Sequence, residues 1–364
     1  MPKIAITELS PKDLTDALSD WGEPRYRARQ ILDWVYHKPI SDFSAMSNLP
    51  PNLRERLDSE FSFQSVLPVT EVTSRDGTTT KVLFRLSDGR SIESVLMMYD
   101  KRRTVCVSSQ VGCAFGCPLC ATGASGFERN LTPAEITDQV LFFSRRLISQ
   151  QSAVSSPGRD EGLLTIDYRP SNVVFMGMGE PLVNFEAVWR AVENLISPDL
   201  LGLGARHLTI STIGIPSAIK KLSQKKLQVG LAVSLHAPNN ELRDLLAPPN
   251  RMYPLEVLIP ACRSYVEATR RRITFEYTLI RSVNDSVPLA IELADLLRGL
   301  NCHVDLIPVN PAACPEFKPP HRARVQAFHE TLTRHHVPNT IRLRRGLDIH
   351  AGCGQLRAQV RKTD

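Results

Sequence analysis

Aromatic side chains make up only 6% of this 364-residue chain, and no apolar run reaches the ~18–20 residues that would cross a bilayer. A helical membrane span is thereby excluded, and no membrane partner is expected. The opening Met1-Pro2-Lys3-Ile4 shows no charged-then-apolar-then-small export pattern, so the expected location is cytoplasmic. No internal repeat and no low-complexity tract is present, which argues against a solenoid or a disordered tether. In a reducing compartment the eight cysteines are not expected to form structural disulfides, which leaves thiols, metal ligands or catalysts. What is present is globular composition, 42% hydrophobic and 23% charged. The length suits one large α/β domain plus a small accessory domain.

Residues 1–65 read as a small helical domain. Ile31, Trp34 and Val35 fall at helical spacing after Pro24, with Arg25, Arg27 and Arg29 interleaved, and Pro50-Pro51 precedes an amphipathic stretch at 52–61. Residues 66–100 carry a hairpin signal, Lys81–Leu86 and Ser91–Met98 around Ser87-Asp88-Gly89-Arg90, expected to act as a β-hairpin linker. Over 101–364, short β-branched strands alternate with helices. The strands are expected at 172–176, 207–210, 229–233, 273–279, 303–308 and 340–344. The helices are expected at 133–148, 186–196, 215–223, 255–268, 288–299 and 321–335. This alternation predicts right-handed βαβ units and a parallel sheet, either a barrel or doubly wound. The polar stretch 149–171 predicts an inserted surface loop.

The net charge of +6 is unevenly placed. Residues 1–60 hold eight Lys/Arg and ten Asp/Glu, whereas residues 318–362 hold ten Lys/Arg and only Glu330 and Asp348 as acids. Such a block attracts phosphate backbones, unless it is simply a solvated face.

Four cysteines, Cys106, Cys113, Cys117 and Cys120, lie within fifteen residues. The Cys113-x3-Cys117-x2-Cys120 spacing places three thiolates on one loop after a strand, able to hold three irons of a cubane and leave the fourth open. The alternative is structural zinc, which wants four ligands; no His lies near, and the next candidate is Cys106. Cys262, Cys302 and Cys314 read as small buried hydrophobes. Cys353 differs, lying between Gly352 and Gly354 beside the basic run, where a thiolate is favoured. Glu93 shares a strand face with Val95 and Met97, where a carboxylate is costly unless paired; an edge position facing water is the alternative.

Gly177–Glu180, Ser211, Ser234–His236 and Asn310 each follow the end of an expected strand, the rim at which βα barrels build active sites. A lone Gly-x-Gly is more often a tight turn, and a lone His more often structural. Four polar motifs at four successive strand ends are harder to explain as turns.

These motifs carry a resemblance. The cysteine triplet, Cys106-Val-Ser-Ser-Gln-Val-Gly-Cys113, Gly126-Phe-Glu-Arg-Asn-Leu131, Phe175-Met-Gly-Met-Gly-Glu-Pro181, Ser234-Leu-His-Ala-Pro238 and Ala351-Gly-Cys-Gly-Gln-Leu356 closely resemble the RlmN/Cfr family of radical S-adenosylmethionine (SAM) enzymes. The likeness extends to Tyr26-Arg-Ala-Arg-Gln-Ile31 and Asp42-Phe43. It implies an α/β fold, a partial (β/α)6 radical-SAM barrel with a small N-terminal helical domain that binds RNA and a β-hairpin. It implies a 4Fe–4S cluster on Cys113, Cys117 and Cys120. Gly179 and Glu180 would then take the SAM amino group and backbone, with Ser211, Ser234, Leu235, His236 and Asn310 lining the same cofactor. Two departures stand out. Leu119 occupies a position usually aromatic in relatives, and Asp348-Ile-His-Ala-Gly-Cys353 replaces the commoner Asp-Ile-Asp-Ala-Ala-Cys.

The same resemblance implies a reaction. An aromatic C–H of adenine is neither acidic nor nucleophilic, so ordinary SAM transfer fails. Cys353 takes a methyl from one SAM; a second SAM, cleaved with an electron from the cluster, gives a radical that activates the methylated Cys353 to add to adenine. Deprotonation by Glu93 or Cys106, then a transient disulfide between Cys106 and Cys353, releases methyladenosine. The implied partners are 23S rRNA, tRNA, a flavodoxin-type electron donor and a thiol reductant. Pro181 and Pro308-Val-Asn310-Pro311 follow the pattern of carbon-2 methylation in 23S rRNA and beside the tRNA anticodon. Cys120-Ala-Thr-Gly123 and Glu135-Ile-Thr-Asp-Gln139 look as much like the Cfr pattern, carbon-8 methylation. Two further alternatives are a radical-SAM enzyme with a small substrate and a zinc-stabilised RNA-binding protein.

Overall fold

Strand order follows chain order throughout the main sheet. The computed structural model describes residues 3–154, 169–310 and 316–358. Its principal strands are β1 (Val66–Thr73), β2 (Thr79–Leu86), β3 (Ser91–Tyr99), β4 (Arg102–Cys106), β5 (Asn172–Phe175), β6 (Leu208–Thr212), β7 (Gly230–Ser234), β8 (Ile273–Leu279), β9 (Cys302–Pro308) and β10 (Asn339–Ile341). They form one ten-stranded sheet in which each strand pairs with its neighbours in sequence. β1 to β4 are antiparallel, and every pairing from β4 to β10 is parallel.

Helices Pro133–Val154, Phe185–Ile196, Pro216–Ser223, Leu255–Thr269, Val287–Leu296 and Arg322–Arg334 make the crossovers, with a short helix Asn240–Leu246 before Leu255. β4 to β9 and their helices are the six βα units of a partial barrel; β10 is a three-residue edge. The central strand β8 alternates, with Thr274, Glu276 and Thr278 on one face and apolar residues on the other. In β8, Ile273, Phe275, Tyr277 and Leu279 are all fully buried. The helix Phe185–Ile196 buries Val188, Trp189, Val192 and Leu195 at helical spacing against that sheet.

The N-terminal domain is three helices, Pro11–Asp20, Tyr26–His37 and Pro51–Glu60, closed by a short parallel pairing of Ile4–Ala5 with Phe61–Ser62. A capping box between Ser10 and Asp13 starts the first helix. The domain docks on Pro133–Val154, where Ala134 N–H donates to Glu8 (3.0 Å) and Ser65 N–H to Asp138 (2.6 Å).

Several elements differ from expectation. Residues 66–100 are three strands, not two, and they extend the barrel sheet through the β3–β4 pairing. β1 is mostly exposed, contains Pro68 and is bulged between Pro68 and Thr70, so it offers no apolar period. The helix from Pro133 runs to Val154, which takes up the start of the loop expected over 149–171. Residues 155–168 of that loop lie outside the described residues, as do Pro311, Cys314, Arg361 and Lys362. Among the described residues, no helix is long and apolar enough to cross a membrane.

Candidate active site

One cavity opens where β5 to β9 end, and the side chains named from sequence converge on it. After β4 the chain forms a clip, Gln110–Gly112 paired with Phe127–Asn130, that brackets the loop bearing Cys113, Cys117 and Cys120. Those three cysteines line one wall together with Leu119. Gly179, Glu180, Ser211, Ser234, His236 and Asn310 line the others. Leu235 does not contribute a side chain. It is fully buried, with its amide donating to the Glu276 carbonyl at 3.0 Å.

Burial, aided by charge on neighbouring cysteines of the loop, pushes the Cys113 thiol up to about 11 and Cys117 to about 12. Among the described residues, no three His, Cys, Asp or Glu side chains are grouped so as to hold a single metal ion. A donor set of three sulfurs on one loop, with no histidine, fits an iron–sulfur cluster with one iron left for a non-protein ligand.

The Gly177-Met-Gly179 turn at the end of β5 has a steric cause. A Cβ on Gly177 would lie 2.6 Å from the Val107 carbonyl oxygen, and one on Gly179 would lie 2.4 Å from Gln110 Cβ, at a φ of +96°. This close approach brings Glu180 under the cavity. One carboxylate oxygen of Glu180 accepts from Leu182 N–H (3.0 Å) and the other from Ile213 N–H (2.8 Å), tying β5 to β6. Burial raises its carboxyl to about 7, because the hydrogen bonds only partly offset desolvation.

His236 sits at φ 61° after β7. Its Nδ1 accepts from Thr278 N–H at 3.1 Å, which leaves the proton on Nε2. Burial, then the Arg243 guanidinium, lowers its pKa to about 3, so the ring is a neutral donor.

Cys353 is solvent-exposed where it lines the cavity, yet it is crowded enough that desolvation raises its thiol pKa. The basic run was expected to favour the thiolate. Only Arg342 of that run opposes desolvation at Cys353, and it does not prevail. Arg342 is held charged by Glu276 (3.0 Å) and Asp305 (3.9 Å). The chain around Cys353 is bonded on several sides. Asn310 Nδ2 donates to the Cys353 carbonyl (3.2 Å), Ala121 N–H to Gly354 (2.7 Å) and Thr122 Oγ1 to Leu356 (2.8 Å).

Cys106 ends β4, buried, with its thiol pushed up to about 12 by burial and then by charge on Cys353. The two thiols are therefore electrostatic neighbours, both free. Glu93 does not line the cavity. It is buried on β3, paired with Lys81 (2.9 Å) and accepting from Arg357 N–H (2.8 Å), which excludes the alternative of an edge glutamate facing water. Cys262 and Cys302 are buried. Sequence reasoning missed Lys81, Glu276 and Arg342. Glu276 alone left a signal, the single charge in the apolar strand Ile273–Leu279.

Comparison with known proteins agrees with this geometry. Residues 4–62 match the family model of the ribosomal RNA large subunit methyltransferase N-terminal domain, and residues 107–294 match the radical SAM superfamily. The chain is 44% identical over 363 residues to a ribosomal RNA large subunit methyltransferase N from Nitrosopumilus maritimus, covering 98% of this chain and 99% of that one. It is 42% identical over 355 residues to a probable dual-specificity RNA methyltransferase RlmN from Symbiobacterium thermophilum, covering 97% and 91%. A crystal structure of a radical SAM methyltransferase from Sphaerobacter thermophilus superposes with a TM-score of 0.91 at 47% identity, over 98% of this chain and all of that one.

Proposed function

We propose, from the premise that this chain belongs to the RlmN family of radical SAM methyltransferases, that it methylates carbon 2 of adenosine in 23S rRNA, at the peptidyl-transferase centre, and in tRNA just 3′ of the anticodon. The choice of carbon 2 rests on membership of the RlmN family, while the observation that supports methyl transfer through a carrier cysteine is the placement of Cys353. It faces the cavity walled by the cysteine triplet, and it is the electrostatic neighbour of Cys106. A small-substrate enzyme has no use for such a carrier thiol, and a zinc-stabilised binder has no use for the cavity.

Cys113, Cys117 and Cys120 would hold a 4Fe–4S cluster, which when bound would supply the electron for cleavage of SAM. Glu180 receives the SAM ammonium, and Gly179 lets the cofactor approach the backbone. Ser211, Ser234 and Asn310 present hydroxyls and an amide to the same ligand, Leu235 offers only backbone, and His236 donates from Nε2. Leu119 gives apolar contact without aromatic stacking. Cys353 as thiolate displaces S-adenosylhomocysteine from a SAM methyl, with Arg342 as the fixed positive charge nearby. Its methylated side chain, after giving a hydrogen atom to the 5′-deoxyadenosyl radical formed from a second SAM, adds to the adenine; the proton leaving carbon 2 goes to Glu93 or Cys106, and Cys106 then closes on Cys353 as a disulfide to free the product. A thiol reductant restores both cysteines, and a flavodoxin-type donor restores the electron.

RNA contact is assigned to the N-terminal domain and the basic C-terminal block. Tyr26 is exposed beside Arg27, and Arg56 lies over Trp21, surfaces suited to stacked bases and phosphates. The test is to incubate protein-free 23S rRNA and unmodified tRNA with enzyme, SAM and reductant, and to separate the digested nucleosides. The expected product is 2-methyladenosine. A predominance of 8-methyladenosine would move the chain to the Cfr outcome, and no methyladenosine from tRNA would confine it to rRNA.

A further inference from the structure

The stretch of chain that carries Cys353 is held at both ends by one ion pair. Lys81 on β2 lies opposite Val95 on β3, and Val95 lies opposite Cys106 on β4. Glu93, two residues before Val95, points to the same side as Lys81 and Cys106. Lys81 Nζ and Glu93 Oε1 meet at 2.9 Å, with the side chains only 16% and 7% exposed. From this buried pair, two arms reach the tail. Lys81 Nζ donates to the His350 carbonyl at 3.3 Å, three residues before Cys353. Glu93 Oε2 accepts from Arg357 N–H at 2.8 Å, four residues after it.

We propose that Lys81 is a positioning residue for Cys353, acting with Glu93 as a clasp that fixes both ends of the 350–357 loop over the cavity. The inference rests on the reading of Cys353 as methyl carrier given above. Between the two arms the loop touches the cluster loop through Ala121 and Thr122 and the end of β9 through Asn310. Those contacts set the height of the loop over the cavity, and the clasp ties its two ends to one side-chain pair. His350 takes a left-handed φ of 51° and Gly354 one of 76°; the His350 carbonyl accepts from Lys81 and the Gly354 carbonyl from Ala121. A lysine buried this far needs its acceptors. Removing its charge frees the His350 arm and also leaves Glu93 without a counter-ion, which weakens the other arm. Glu93 therefore has two duties, proton acceptor and anchor, and loss of activity on replacing it does not separate them. Lys81 does, because it has only the second.

The experiment compares wild type, Lys81→Met, Lys81→Gln and Lys81→Arg as cluster-loaded full-length protein. Hydrogen exchange of residues 350–357 reads the clasp directly. In Lys81→Met the Arg357 amide should exchange about tenfold faster, with the β4–β9 strands unchanged. During turnover, 5′-deoxyadenosine formed per methyl delivered to RNA should rise severalfold, because SAM cleavage persists while Cys353 is misplaced. Lys81→Arg, which still donates to a carboxylate and a carbonyl, should restore both values toward wild type. Lys81→Gln keeps a donor for His350 without the charge and should fall between; it carries the test if Lys81→Met does not fold. Exchange and product ratio unchanged in both Lys81→Met and Lys81→Gln would overturn the clasp. Failure of the carrier reading is distinguishable, since wild type would then show no S-methylated Cys353 by mass spectrometry.

Discussion

The amide of Ala121 donates to the carbonyl of Gly354 at 2.7 Å, so the residue after Cys120 and the residue after Cys353 are bonded to each other. The loop proposed to bind the cluster is thus also the seat of the proposed carrier thiol. Protein purified without oxygen should be brown and hold about four irons per chain. Cys113→Ser, Cys117→Ser or Cys120→Ser should remove colour, iron and SAM cleavage together. Because Gly354 rests on this loop, each should also speed trypsin cleavage at Arg344, Arg345 and Arg357. A colourless yet folded wild type after treatment with iron and sulfide contradicts the assignment.

The two outlying cysteines should fail differently. Cys353→Ala is expected to show no S-methylcysteine by mass spectrometry and no RNA methylation. Cys106→Ala should still be methylated at Cys353 and accumulate a covalent protein–RNA adduct, since nothing remains to resolve it. Methylated RNA from Cys353→Ala would show that another residue carries the methyl.

Arg342 is predicted to matter twice. Its removal leaves Glu276 buried without its partner, so Arg342→Met should lower stability by on the order of 3 kcal/mol in denaturant titrations. It should also move the pH midpoint for alkylation of Cys353 upward, because the one positive charge opposing desolvation is gone. Adding Glu276→Gln should recover part of the stability while leaving the Cys353 midpoint above wild type. An unchanged alkylation profile in Arg342→Met removes Arg342 from the site.

Glu180 makes a pH prediction with a definite sign. Its folded-state pKa, about 7, lies above the ordinary 4.5, so the folded chain binds more protons than the unfolded chain between those values. Stability from this group is complete below 4.5 and is lost as pH rises through about 7, on the order of 3 kcal/mol across the window at 1.36 kcal/mol per unit. In SAM-free protein, Glu180→Gln should flatten that portion of the stability profile. SAM affinity should run the other way, tightening up to tenfold per pH unit below about 7, because its ammonium prefers the ionised carboxylate. Equal slopes for wild type and Glu180→Gln would clear Glu180 of both roles.

What the sequence disclosed follows from where each element sits. β8 was expected at 273–279 and lies at Ile273–Leu279, because Ile273, Phe275, Tyr277 and Leu279 repeat at the strand period of two and are all fully buried. β1 escaped notice because its exposed residues obey no period. The helix Asn240–Leu246 escaped because seven residues are too few for one to show; its Asn239 cap, accepting from Leu242 N–H, was the available sign. In the site, the cysteine triplet and the rim motifs are local patterns and could be read directly. Lys81 and Arg342 could not. Each is one cation among 44 Lys+Arg, distinguished only by a carboxylate far away in sequence that tertiary structure brings within 2.9 or 3.0 Å.

The tail that crosses from β10 back to β2 and β3 also fixes an order of events in synthesis. Asp348 meets Arg75, His350 meets Lys81, Arg357 meets Glu93 and Arg345 meets Met98, each across at least 247 residues. Every strand of the sheet and all three cluster cysteines leave the ribosome before Cys353 does. A nascent chain stopped at Ile341 thus contains the whole ten-stranded sheet and Cys113, Cys117 and Cys120 but not Cys353. On the proposed carrier role of Cys353, translation itself would withhold methyl transfer until the rest of the barrel has been made.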